Sequence, residues 1–71
     1  MIERLESLVR RHRQIQEEMA RPDVVTDPQQ LARLGRELRG LDPLVHAYEG
    51  YEAAERELRE ARDLLRKESD P

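Results

Sequence analysis

The chain has 71 residues, of which 41% are charged, 37% hydrophobic and 3% aromatic, with a net charge of −3 and no Cys, Trp or Phe. These figures exclude a disulfide scaffold, a Cys-ligated zinc site and a thiol nucleophile, and apolar runs of two residues at most exclude a membrane span or a secretory core within it. Too few large side chains remain for a two-layer domain, whereas the abundance of Leu, Ala, Glu and Arg is the make-up of long amphipathic helices.

Charge is spread evenly. Residues 1–20 sum to 0, residues 21–50 to −1 and residues 51–71 to −2, so no segment has the sustained positive field that nonspecific nucleic-acid binding needs. With no targeting signal in view, the cytoplasm is the expected compartment.

The first predicted element is a helix over about residues 2–20. Met1, Leu5, Leu8, His12, Ile15 and Met19 are spaced by alternating steps of 4 and 3, which a helix presents as one narrow seam, and Ile2 and Val9 widen it on one side. Glu6 and Arg10 stand four apart in the favourable order. The stretch Ala20 to Pro28 breaks the pattern: Pro22 stops the helix, and a loop of about seven residues follows, with Val24 and Val25 expected to tuck under the corner. Asp27-Pro28-Gln29-Gln30 reads as a helix start, with Asp27 as cap, Pro28 in the first helical position and Gln30 placed to close a capping box.

A second helix is predicted over about residues 28–67, kinked near 40–43. Leu31, Leu34, Leu38, Leu41, Val45 and Tyr48 form one stripe, while Leu44, Ala47, Tyr51, Ala54, Leu58, Ala61 and Leu65 form another. The overlap of the two around residues 44–48 implies a buried face that rotates partway along. Pro43 deprives the Arg39 carbonyl of its partner there, and Gly40 weakens the same turn; the alternative is two helices with Asp42 capping the second. Glu52/Arg56, Glu55/Arg59 and Asp63/Lys67 are expected as helix ion pairs.

The fold class that follows is all-α: an antiparallel hairpin or coiled coil with a short first helix and a long second one. Forty helical residues reach roughly 60 Å, about twice the first helix, so a folded-back first helix covers only the Leu31–Tyr48 stripe. The Tyr51–Leu65 stripe then lacks cover, and stripes of that length are not usually left bare. A following helix, a second copy of the chain or a separate protein would supply it. Ser69-Asp70-Pro71 repeats the Asp27-Pro28 pattern, and the expectation is a single helical domain cut from a longer protein, self-associating through this stripe when alone.

No catalytic, cofactor-binding or metal residues are nominated, and an enzyme is the poorest reading. Ser7 has no His one turn away, Gly35, Gly40 and Gly50 are isolated, and His12 and His46 fall on different helices without companion ligands. His12 on the seam reads first as a packing residue. Tyr48 and Tyr51 read first as packing at the edge of the core, ahead of stacking on a base. The candidate contact residues are therefore the stripe Tyr51, Ala54, Leu58, Ala61 and Leu65, and the basic cluster Arg10, Arg11 and Arg13, which suits an RNA phosphate or an acidic protein surface. Arg33, Arg36 and Arg39 form a second basic strip open to the same contacts, and a solvated helix face is the first reading of both groups. A generic homodimerising coiled coil and an RNA-binding helical arm are the alternatives the residues leave open.

The ordered combination of Arg21-Pro22-Asp23-Val24-Val25-Thr26-Asp27-Pro28, a Leu-rich helix, Leu41-Asp42-Pro43-Leu44-Val45-His46-Ala47-Tyr48-Glu49-Gly50-Tyr51 and the Glu55–Pro71 tail resembles the N-terminal domain of bacterial class I peptide chain release factors. The tyrosine pair and the Glu68-Ser69-Asp70-Pro71 ending look more like the factor 1 branch, with factor 2 as the alternative. The resemblance implies translation termination on the ribosome at UAA and UAG, and a noncatalytic domain with the ribosome and the recycling GTPase as partners and a third helix following. It implies no catalytic or codon-reading residue here, because the family's Gly-Gly-Gln loop and Pro-x-Thr type tripeptide are both absent from these residues.

Overall fold

Seam spacing and end signals set the first helix, α1, at Ile2–Met19. Ile15 is its one fully buried side chain, flanked along the same face by half-buried Leu5, Leu8, His12 and Met19. The computed structural model describes residues 2–69; the seam position Met1 and the Asp70-Pro71 part of the terminal cap pattern lie outside the described residues.

The corner differs from the expected loop. After Met19 the ladder tightens, with the amides of Ala20 and Arg21 donating to the carbonyls of Glu17 and Glu18 at 3.2 and 3.1 Å. A one-turn helix, α2, then runs Pro22–Val25. Pro22 therefore both ends α1 and opens α2, since its missing N–H costs nothing at a first helical position. The Thr26 hydroxyl donates to the Pro22 carbonyl at 3.1 Å, and the Asp27 amide to that of Val24 at 3.0 Å, which satisfies the corner's backbone locally. Successive helical residues point about 100° apart, so only one valine of the pair faces inward. Val24 is 2% exposed, whereas Val25 is 54% exposed, a correction to the expectation that both are covered.

The long helix, α3, spans Pro28–Ser69 without interruption. Asp27 caps it as expected, its Oδ1 accepting from the Gln30 amide at 3.2 Å. Pro43 lies inside the helix, and the two-helix alternative with Asp42 as cap does not occur: Asp42 Oδ1 lies 2.7 Å from Nε2 of His12 on α1.

The helices run antiparallel. Early α1 residues Glu6 and Val9 lie with Tyr48 and Glu52, His12 meets Asp42, and the Met19 methyl stands over Gly35. The core consists of Ile15, Val24 and Leu34, with Met19, Leu31, Leu38 and Leu41 packed around it, and Val45 is buried further along. On α3 the covered face is Leu31, Leu34, Leu38, Leu41, Val45, Tyr48 and Glu52, a set of alternating steps of 3 and 4 that passes through Pro43 unbroken. The buried face therefore does not rotate. The second stripe, starting at Leu44, lies roughly 130° around the helix and is exposed from its first member onward.

Cover ends at Ala53, and every described residue from Ala54 to Ser69 is exposed. The molecule measures 64 × 25 × 16 Å, the long dimension matching the ~63 Å expected of 42 helical residues.

Candidate functional site

The outward stripe of α3 carries five of the eight nominated contact residues, four of them beyond Ala53. Tyr51, Leu58 and Leu65 are 53%, 52% and 65% exposed, and Ala54 and Ala61 are exposed between them. The helix ladder positions them on one face at steps of 3 and 4. Leu64, not nominated, is also exposed and sits about 100° round from Leu65. The flanking charges are arranged differently from the expected pairs. Asp63 pairs with Arg66 at i+3 rather than with Lys67, and Glu52/Arg56 and Glu55/Arg59 are not in ion-pair contact.

The two tyrosines separate because they belong to different stripes. Tyr48 is half-buried in a groove between the helices with Glu6, Val9, Arg10, Arg13 and Glu52. Burial, followed by the carboxylates of Glu52 and Glu6, raises its phenol above the usual tyrosine value. Tyr51 faces outward, and its phenol is raised first by hydrogen bonding to the Glu55 carboxylate and then by that group's charge.

The basic cluster also divides. Arg10 and Arg13 remain exposed on the rim of the groove. Arg11 is taken up internally: its Nε donates to Glu37 Oε1 at 2.8 Å and its Nη2 to Glu37 Oε2 at 3.0 Å, a two-point clasp from α1 to α3. Its Nη1 also reaches Glu18 at 3.4 Å. The Arg11 hydrogen bonds and charge hold the Glu37 carboxyl below its ordinary value, and Arg11 is correspondingly raised. Arg11 is thus a cross-brace of the hairpin, with its guanidinium fork already filled. Position in the heptad could have signalled this, since Arg11 and Glu37 each sit beside a seam residue, where interhelical pairs form.

His12 is on the seam as expected, its side chain 13% exposed, and it packs while bonding Asp42 across the interface. Among the described residues no group of three or more His, Cys, Asp or Glu is placed to hold a metal ion, and no helix is long and apolar enough to cross a membrane.

Such a hairpin is an all-helical unit, braced at one end and bare over the described residues of the other. The chain belongs to the PCRF domain family, which matches residues 8–71. It is similar to peptide chain release factor 1 of Chloroherpeton thalassium, at 32% identity over 71 residues, and to those of Dehalococcoides mccartyi, at 37% over 70 residues, and Geobacillus kaustophilus, at 31% over 71 residues. These alignments take in 99–100% of this chain but 20% of each relative, so the chain spans about one fifth of their length. No solved structure matches.

Proposed function

We propose that the chain serves as a noncatalytic interaction arm of a peptide chain release factor, acting in the cytoplasm on ribosomes that terminate at UAA or UAG. Coverage supports this reading best: the family match and the relatives' alignments both take in nearly the whole chain, the bare stripe included. A thin hairpin offers contact surface and no enclosed cleft, which suits positioning rather than chemistry. The ribosome is the expected partner, and the recycling GTPase is a further one for an arm of this reach.

The test uses ribosomes carrying formyl-methionyl-tRNA over a stop codon. The 71-residue chain alone should release no formyl-methionine. Grafted in place of the matching segment of the Geobacillus kaustophilus relative, it should preserve release at UAA and UAG, leave UGA unread, and retain the response to the recycling GTPase. Release by the isolated chain would refute the noncatalytic assignment. A folded graft that no longer acts on terminating ribosomes would refute the role in termination.

A further inference from the structure

Folding of the hairpin sorts the charges of α3. Between Pro28 and Pro43 the helix carries three arginines, Arg33, Arg36 and Arg39, and two carboxylates, Glu37 and Asp42. Both carboxylates are taken up by α1: Arg11 holds both oxygens of Glu37, and His12 lies 2.7 Å from Asp42. All three arginines are exposed, and none is in an ion pair among the described residues. Arg33 acts on Glu37 through its charge, without such a contact. A stretch with nearly balanced charge in sequence therefore presents an outward face that is basic throughout.

At 100° per residue the arginines fan through about 120° of the helix over roughly 9 Å of its length, and exposed Gln29 falls within the fan. Ala32, Gly40 and Pro43 fill the spaces between them. An added Cβ at Gly40 meets nothing within 4 Å, so the backbone there is open to close approach. Asp27, Gln29, Gln30, Ala32, Arg33 and Arg36 line a shallow hollow, in which the Asp27 carboxylate is engaged by the Gln30 amide at the positive end of the helix. No large apolar side chain lies in this face. It lacks the core that a protein interface needs, and nothing in it calls for cover by another helix.

We propose that this face is a docking surface for the sugar-phosphate backbone of an RNA duplex. A convex helical ridge fits the wide, shallow minor groove of A-form RNA, with Arg33 and Arg39 reaching phosphates on either rim. Guanidinium groups match phosphate oxygens in charge and geometry. The Gln29 amide both donates and accepts, as a ribose 2′-hydroxyl does, and supplies a contact that DNA lacks. The net charge of −3 does not prevent docking. After Asp42 the next carboxylate along α3 is Glu49, roughly 20 Å beyond Arg36 and more than twice the screening length of about 8 Å at physiological salt. The choice of RNA rests on the proposed role in termination, whereas the sorting of charge does not.

Titration of the isotope-labelled 71-residue chain with a short RNA duplex of mixed sequence tests this assignment. Amide shifts should concentrate at residues 29–43 and leave residues 54–69 unmoved. Affinity should fall about 40-fold between about 50 and 200 mM salt, as three phosphate contacts require, and about 12-fold in Arg33→Gln, Arg36→Gln or Arg39→Gln singly. The triple variant should lose binding while circular dichroism shows the hairpin still folded. A DNA duplex of the same sequence should bind several-fold more weakly, and Gln29→Ala should remove that preference. Absence of binding at the highest RNA concentration reached would overturn the proposal, as would a triple variant that binds RNA unchanged or shifts centred on Arg10 and Arg13. Equal affinity for DNA would overturn the RNA assignment, and tighter binding of a poly-glutamate peptide at the same residues would make an acidic protein the occupant instead. Loss of RNA binding with release kept in the graft overturns this surface alone, and loss of release with RNA binding kept overturns the role in termination.

Discussion

The two halves of α3 are built from the same residue types and meet opposite fates. From Leu31 to Ala53 the helix has α1 and α2 against one face, with Leu34 4% exposed and Val45 7% exposed. From Ala54 to Ser69 no described residue is covered, although Leu58 and Leu65 would suit a core equally well. The difference lies in the length of the partner. Eighteen residues of α1 reach ~27 Å, and α3 outruns them. Hydrophobic side chains thus report a capacity for burial, and topology decides which of them use it within the chain.

Substitutions can sharpen this contrast. Ile15→Ala or Leu34→Ala should cost about 2–5 kcal/mol of hairpin stability, whereas Leu58→Ala or Leu65→Ala at low concentration should stay within about 0.5 kcal/mol. Urea melts of the four variants measure both, and equal losses in the two halves would break the comparison. Gly40→Ala and Gly50→Ala come next. An added Cβ meets nothing within 4 Å at either site, so each should stabilise the helix by about 1 kcal/mol, read as a raised melting temperature. Asp42→Ala should cost about 1 kcal/mol by removing the partner of His12, and His12→Ala combined with it should add less than the sum of the two single losses.

The smallest expected effects are on the pH profile. Glu37 is held below its ordinary 4.5 by Arg11, so the stability it contributes is present above that value and is lost as pH falls through the lowered folded one. Tyr48 is held above 10.0 by burial and neighbouring carboxylates, so its contribution is present below 10.0 and is lost as pH climbs through the raised folded value. Urea midpoints across pH should show Glu37→Gln flattening only the acid limb and Tyr48→Phe only the alkaline one.

Periodicity and end signals made most of this architecture readable in advance. The heptad seam from Leu5 to Met19, the Asp27-Pro28 start and the Leu31–Tyr48 stripe are local patterns, and the mismatch in helix length follows from counting residues. Three features were not readable in this way, two because they depend on contacts between elements and one because a single residue has two local roles. Asp42 beside Pro43 resembles a cap locally, but His12 30 residues away takes its carboxylate. Arg11 resembles its exposed neighbours Arg10 and Arg13 until Glu37 arrives opposite it. Pro22 marks a stop in sequence, yet the same ring suits the first turn of α2, so one residue served two elements. Of the candidate contact surface, the apolar stripe was legible as a set, while the basic cluster loses Arg11.

Pro43 gives the rod an unequal stiffness. The Arg39 carbonyl has no helical donor opposite it, so the backbone ladder lacks a rung 26 residues before Ser69. That stretch is a lever arm of roughly 39 Å, and a tilt of about 10° at its root would sweep the tip through about 7 Å. Such a tilt would leave the packing of Ile15 against Leu34 intact, but α1 opposes it, because Val45 and Tyr48 lie beyond Pro43 and are still covered.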